Sequence, residues 1–425
     1  MQAVEPRESV KYACLLSFAA LLAVSAFLFD SPGEVLRGNR VILTSPANLI
    51  TDYFALAGPG AALFNAGVMT LLGILAIRLL RVRISGPLMA ALFTVAGFSL
   101  FGKNLFNSIP IMAGVYLYAL VSRTPFDRYL LQAFFGTALG PLVSEIAFNL
   151  GLPAGIGIPL GVLAGVAAGF ALPPLSVHFL RFHQGFNLYN IGFTAGIIGM
   201  FFIAVLRNFG ITVDTVNQVS EPDNLPFAAL LGVLFAGMLL AGLRMSGGRG
   251  SGLGALMRQS GRLAADFVTI AGFGPTLVNM ALLGFASSGY VLLVGGRLSG
   301  PVIGGILTVV GFGAFGKHLR NVLPIFAGVF LMGLVNRYDL HSPVMLLAAL
   351  FGTTLAPVSG YYGPVAGVVA GMLHTAMVMN ISYLHAGMNL YNNGFSGGFI
   401  AAALVPIIDG LREIAENRKK GKRTS

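Results

Sequence analysis

The sequence predicts an all-α polytopic integral membrane protein built as two inverted repeats of about seven membrane segments each. Three observations predict this. The 425 residues are 56% hydrophobic and 10% charged, whereas soluble domains carry about 25% charged residues. Apolar runs of membrane-spanning length recur along the whole chain. Motifs of the first half return in the second, in the same order.

Composition alone makes lipid the solvent, because no water-soluble fold buries this much apolar surface. The 57 glycines suit close helix approach in a bilayer. A net charge of +11 could point to nucleic acid, but the placement of Lys and Arg points elsewhere. They flank the apolar runs and fill the tail Arg418-Lys419-Lys420-Gly421-Lys422-Arg423, as at a membrane surface. The bilayer is therefore the expected partner, and nucleic acid is not. Cys14 is the one cysteine, so neither an intrachain disulfide nor a cysteine cluster for zinc can form. The first run, residues 10–29, is too long for a signal-peptide core and reads as a retained helix.

The duplication is specific. Ser85-Gly86-Pro87 returns as Ser299-Gly300-Pro301, and Phe101-Gly102-Lys103 as Phe315-Gly316-Lys317. Ile109-Pro110-Ile111 returns as Leu323-Pro324-Ile325, Asp52 as Asp266 and Asn65 as Asn279. Further along, Phe135-Gly136-Thr137 matches Phe351-Gly352-Thr353. The segment from His183 through Asn187-Leu188-Tyr189-Asn190 matches His385 through Asn389-Leu390-Tyr391-Asn392.

Each copy divides into seven apolar segments. The first gives 10–29, 58–80, 86–102, 105–122, 130–149, 157–180 and 187–206; the second gives 226–244, 270–295, 299–316, 320–335, 343–360, 363–382 and 389–408. The domain organisation is a first repeat over 1–209, an extracytoplasmic linker over 210–225, a second repeat over 226–410 and a basic cytoplasmic tail over 411–425. The fifth pair is interrupted by Gly136, Gly140 and Pro141, and by Gly352 and Pro357, so it reads as broken or re-entrant. With the N-terminus inside, seven spans put the acidic linker Asp214 to Asp223 outside. Arg78, Arg81, Arg83, Arg244, Arg249, Arg258 and Arg262 then fall inside with the tail. An odd count forces opposite orientations, although Arg37, Arg40 and Arg337 fall outside. The expected location is the prokaryotic cytoplasmic membrane, with both termini cytoplasmic.

Inverted repeats are a transporter architecture, with the solute site at the interface of the copies. Duplicated polar residues at membrane depth are therefore the candidates. Asn187, Asn190 and Thr194 are spaced for one helix face, and Asn389, Asn392 and Ser396 repeat it; Tyr189 and Tyr391 lie within the same segments. Gly192 and Gly196, with Gly394 and Gly398, add a small-residue surface, and His183 and His385 precede each stripe. Such a stripe lines a solute pathway or joins helices. Asp52 and Asp266 each precede a Gly-rich break followed by Asn65 or Asn279, which reads as a discontinuous helix with the acid as coupling group or as cap. The Ser-Gly-Pro segments read as helix starts with Ser as cap. Lys103 and Lys317 read as side chains snorkelling to the interface, with a pathway charge as the alternative. Glu145 is an isolated intramembrane acid without an acidic counterpart.

Enzyme motifs such as HExxH, GxSxG, a P-loop or a Rossmann fingerprint in context are missing, and the six histidines do not fall at metal-ligand spacing. Neither an enzyme nor a cofactor is expected. The paired Ser-Gly-Pro, Phe-Gly-Lys and His-x-Gly-x-Asn-Leu-Tyr-Asn-x-Gly-Phe segments resemble the DUF1576 family of prokaryotic membrane proteins, in which one domain occurs twice. That resemblance implies no activity. A weaker similarity runs to urea transporters, through Phe64-Asn65 with Ile109-Pro110-Ile111 and Val278-Asn279 with Leu323-Pro324-Ile325; the Thr-x-Pro-Phe end of those proteins is missing.

The functional expectation is a carrier or channel for a small polar solute, its pathway at the interface of the two repeats. Within transport, the alternative is a proton- or sodium-coupled carrier for a small organic solute or anion. From another class, the alternative is a non-transporting scaffold or enzyme subunit. A homo-oligomer fits any of these.

Overall fold

The protein is described by a computed structural model that covers residues 6–213, 215–247 and 251–421. Asp214, Arg249, Lys422 and Arg423, which enter the charge argument, lie outside the described residues. The first repeat comprises α1 (Glu8–Ser25), α2 (Pro32–Thr44), α3 (Tyr53–Ala57), α4 (Pro59–Leu79), α5 (Gly86–Phe98), α6 (Leu105–Val121), α7 (Leu130–Gly136), α8 (Gly140–Phe148), α9 (Ala154–Phe182) and α10 (Asn190–Asn208). The second comprises α11 (Asn224–Met245), α12 (Ser251–Met257), α13 (Phe267–Ala271), α14 (Phe273–Leu293), α15 (Gly300–Phe312), α16 (Leu319–Gly333), α17 (Pro343–Gly352), α18 (Ala356–Tyr362), α19 (Pro364–Ile381) and α20 (Asn392–Gly421). There are no strands among the described residues, only isolated bridges joining Thr51 to Gln218 and Asp52 to Phe101.

By length and composition, 10 of these helical stretches can cross a membrane, and α5, α6, α15 and α16 are shorter apolar helices. Together they make seven segments per repeat. The first repeat uses α1, α4, α5, α6, α7–α8, α9 and α10; the second uses α11, α14, α15, α16, α17–α18, α19 and α20. Each member of the fifth pair is one helical stretch long and apolar enough to span: a single 3-10 turn, Thr137–Leu139 or Thr353–Leu355, replaces a break at its Gly and Pro residues. The second pair is discontinuous as its glycines suggest. Gly58 (φ 93°) separates α3 from α4, and Gly272 (φ 88°) separates α13 from α14, a conformation that glycine adopts without a Cβ penalty. Between α1 and α4 lies α2, closed by the Ser31–Glu34 capping box and burying only Val35, Gly38 and Ile42 along one stripe.

Contacts between the repeats fix the inversion. On the face that holds the N-terminus, the Gly86 N–H at the start of α5 donates to Asp266 Oδ1 (2.9 Å), and the Leu263 N–H donates to the Gly185 carbonyl (3.1 Å). On the opposite face Asp52 accepts from the Gly300 N–H at the start of α15, and the Leu49 N–H donates to the Gly387 carbonyl (3.1 Å). Each contact has its repeat partner on the opposite face of the molecule.

The middle of the molecule is α5 packed antiparallel on α15. All of α15 and all of α5 except Pro87 is buried. At about 1.5 Å per residue, such 13-residue helices are close to 20 Å long, short of a hydrocarbon core of about 30 Å. The turns after them, 99–104 and 313–318, are therefore buried at depth and need polar partners. Glycine sets the approach: a Cβ on Gly97 would lie 2.5 Å from the Gly304 carbonyl oxygen, and one on Gly304 would lie 2.5 Å from that of Gly97. The helices α10 and α20 cross in the same way, with Gly192 against Tyr391 and Gly394 against Tyr189.

Candidate functional site

The unwound stretches after α5 and α15 carry Phe-Gly-Lys, with Gly102 (φ 76°) and Gly316 (φ 113°) turning the chain. One asparagine holds each stretch. Asn65 Nδ2 donates to the carbonyls of Ser99 (2.7 Å) and Lys103 (2.9 Å), and Asn279 Nδ2 to those of Gly313 (2.7 Å) and Lys317 (2.8 Å). Otherwise these carbonyls would lie in a low-dielectric interior without a donor, at a cost of several kcal/mol.

The loops turn both lysines inward. Lys103 and Lys317 are 0% exposed, which corrects the expectation that they snorkel to the interface. The reason is geometric: α5 and α15 end deep in the molecule, so neither lysine can reach water. Lys317 Nζ donates to Tyr189 Oη and Thr353 Oγ1, both at 2.6 Å, and lies 4.5 Å from the Tyr189 ring centroid and 5.1 Å from that of Phe312. Lys103 is its repeat counterpart, 5.4 Å from the Phe98 ring. Its equivalent partners would be Tyr391 and Thr137, yet Lys103 Nζ has no hydrogen-bond partner and Tyr391 Oη meets only Thr94. Thr137 Oγ1 donates to the Phe134 carbonyl (2.6 Å), as Thr353 Oγ1 does to that of Leu350, but unlike Thr353 it accepts no bond from its lysine. Among the described residues neither lysine is in an ion pair. The two halves join where Tyr189 and Tyr391 meet, with ring centroids 5.0 Å apart, flanked by Phe312 (4.7 Å from Tyr189) and Phe98 (4.6 Å from Tyr391).

A family model described as a protein of unknown function, DUF1576, matches residues 31–208 and again 245–410. The chain belongs to the DUF1576 family. Each match covers one repeat without its first span, so α1 and all of α11 but its last residue lie outside the matched regions. No curated protein matches the chain, and no solved structure does; the weaker similarity to urea transporters gains no support.

The DUF1576 repeats present two cavities as a pseudo-symmetric pair. On the N-terminal face, a cavity of about 220 Å³ is lined by Leu131, Phe135, Asn190 and Ala264 and also by Tyr189 and Tyr391. On the linker face, one of about 270 Å³ is lined by the equivalents Leu347, Phe351, Asn392 and Ile50, and also by Leu390. Phe351 packs against Phe98 (5.6 Å) and Tyr189 (6.2 Å). The aromatic cluster around the lysines thus separates the two cavities.

The Asn stripes are arranged differently from the expected helix face. Helices α10 and α20 begin at Asn190 and Asn392, so Asn187 and Asn389 precede them. Their side chains bond the backbone instead: Asn187 Oδ1 accepts from the Tyr189 N–H (3.2 Å) and Asn389 Oδ1 from the Tyr391 N–H (3.0 Å). This is local competition with the helix, as short amides favour. Their amide nitrogens cross the repeats, Asn187 to the Gly394 carbonyl (3.0 Å) and Asn389 to that of Gly192 (3.1 Å). Asn190 and Asn392 bond His183 (3.0 Å) and His385 (2.9 Å), and donate to the carbonyls of Ser176 and Val378. Thr194 donates to the Asn190 carbonyl and Ser396 meets His374 Nδ1. These side chains act as joints; Asn190 and Asn392 also border the cavities.

Asp52 and Asp266 cap α3 and α13 and reach across to the opposite Ser-Gly-Pro helix. Ser85 and Ser299, expected as caps, make no capping bond, because an aspartate of the other repeat satisfies the helix start. Asp52 also accepts from the N–H and hydroxyl of Ser220, where the linker runs alongside it. Glu145 is buried in α8, accepts from Asn149 (2.7 Å) and borders neither cavity. The cluster members Thr137, Thr353, Phe98 and Phe312 were not among the sequence candidates. The duplicated Phe-Gly-Thr was the signal for the threonines, and the repeated Gly97-Phe98 and Gly311-Phe312 for the phenylalanines; both lay outside the Asn segments that drew attention.

Proposed function

We propose that this DUF1576 protein carries a small polar solute across the membrane, with the solute passing the Lys103–Lys317 cluster between the two repeats. One observation carries the reading: two pseudo-symmetric cavities approach the same duplicated cluster from opposite faces. That is the geometry alternating access requires, with rigid units rocking about a fixed central site. A scaffold would need neither cavity. Asp52 and Asp266 have their oxygens occupied by backbone and hydroxyl donors, which supports a mechanism without acid-coupled transport. The protein resides in the prokaryotic cytoplasmic membrane with both termini inside, as the Arg78, Arg81, Arg83, Arg258 and Arg262 side suggests, and acts as a carrier rather than an enzyme.

Proteoliposome flux tests this. A panel of small neutral and ionic solutes is expected to include at least one that the wild-type protein moves. Leu131→Trp in one cavity, or Leu347→Trp in the other, is expected to abolish that flux while the protein still extracts as a monodisperse species. Flux of no solute in the panel, or flux unchanged in both variants, overturns the carrier reading.

A further inference from the structure

We infer that the Lys103 side of the cluster is a binding site for a small monovalent anion, of the size of chloride, nitrate or formate. The inference rests on the carrier reading only for the route by which the ligand arrives. The observation is an asymmetry within a symmetric frame. In one half, Lys317 is closed on Tyr189 and Thr353. In the other, all three groups are buried: Lys103 Nζ has no partner, and Tyr391 Oη and Thr94 Oγ1 have only each other. The counterpart of Thr94, Thr308, donates to the Gly304 carbonyl (2.8 Å). Three polar groups on one side thus have no partner outside the set, and all three are donors.

These groups are neighbours. Lys103 and Tyr391 flank the same Phe98 ring, and Tyr391 lies beside Thr94. An ammonium and two hydroxyls without a carboxylate form a set that a single anion satisfies at once. An uncompensated buried ammonium is among the most costly arrangements in a protein interior, and an anion offsets that cost. A neutral solute would leave the charge uncompensated, and a cation would add to it. The ligand is small because Lys103 is fully buried against the Phe98 ring and does not line even the cavity that Tyr391 borders. Arg128, at the mouth of that cavity, adds positive charge on the approach. The larger cavity of about 360 Å³ among α1, α5, α11 and α14 is almost wholly apolar, lined by residues such as Leu15, Phe18, Phe93 and Leu277, and offers no comparable donor set.

The test is ligand-dependent thermal unfolding of the purified full-length protein, in detergent with a bulky sulfonate as the only buffer anion. The probes are sodium chloride, nitrate and formate, with formamide as the neutral counterpart of formate at matched sodium sulfonate. The midpoint is expected to rise saturably with at least one of the three anions and not with formamide. Lys103→Met is expected to abolish the response. Tyr391→Phe keeps the charge and is expected to weaken the apparent Kd about five- to tenfold, the equivalent of one hydrogen bond. If Lys103→Met fails to fold, the Tyr391→Phe titration decides alone. An equal response to formamide, no response to any of the three anions, or an unchanged Kd in Tyr391→Phe overturns the inference. Saturable anion binding without flux of any solute would leave this site standing and overturn the carrier reading; flux of neutral solutes without anion binding would do the reverse.

Discussion

Replacing Lys103 and Lys317 separately by Met exposes the difference between the two halves of the cluster. Both lysines are fully buried, at 0% exposed, and related by the internal duplication. The desolvation that each ammonium suffers is therefore the same to first order, and Met removes it equally from both sites. What differs is the bonding: Lys317 loses two hydrogen bonds to Tyr189 and Thr353, each 2.6 Å long, and Lys103 loses none. A hydrogen bond to a charged group contributes about 1.5–3 kcal/mol, so Lys317→Met is expected to be less stable than Lys103→Met by about 3–6 kcal/mol. At roughly 2 °C per kcal/mol for a large chain, their unfolding midpoints should differ by about 6–12 °C. Lys103→Met is expected to unfold above the wild type, since it deletes an unpartnered charge. The assay is thermal unfolding in detergent in the sulfonate buffer, where no small anion can occupy the site. Midpoints within about 2 °C of each other would refute the assignment of different bonding states to the two lysines.

Other substitutions follow from the joints. Asn187→Ala and Asn389→Ala each remove a bond between repeats and release a tyrosine N–H, so each should cost about 1–3 kcal/mol by chemical unfolding; no measurable loss in either would contradict a joint role. Gly97→Ala should prevent assembly, because its Cβ would meet the Gly304 carbonyl, whereas Gly237→Ala, with nothing within 4 Å, should stabilise α11 by about 0.5–1 kcal/mol; gel filtration and thermal unfolding read the contrast. Asp266→Ala should cost about 1 kcal/mol or more by losing the caps of α13 and α5, and Asp266→Asn distinctly less because an acceptor remains.

Much of the architecture is legible because it is written twice. The matching Ser-Gly-Pro, Phe-Gly-Lys and Asn-Leu-Tyr-Asn segments and the odd number of apolar runs suffice for two inverted seven-segment repeats. The glycines at 58 and 272 announce the broken second helix, since few other residues accept that backbone. The site was less legible, for two reasons. Helical spacing between Asn187, Asn190 and Thr194 suggested one face, but Asn187 bonds its own backbone and stays outside α10, so periodicity counted a residue that is not helical. The lysines misled because a basic residue after an apolar run usually marks its emergence from lipid. Here α5 and α15 stop early, and only three-dimensional packing reveals that Phe-Gly-Lys turns back inside. Nothing in the sequence distinguishes Lys103 from Lys317, because their local motifs are the same; their difference lies in which tyrosine and threonine each one meets.

The exchanged aspartates have a consequence for how the chain is made. Asp266 satisfies the start of α5 across 180 residues of sequence, so α5 emerges from the ribosome long before its cap has been synthesised. By contrast, α15 finds Asp52 already inserted and waiting. Two repeats that are near-equivalent by a pseudo-twofold rotation in the finished protein are thus unequal during biogenesis: the first enters the membrane as an open template, and the second completes it. A chain severed in the linker should accordingly yield a stable protein only when both pieces are produced in the same membrane.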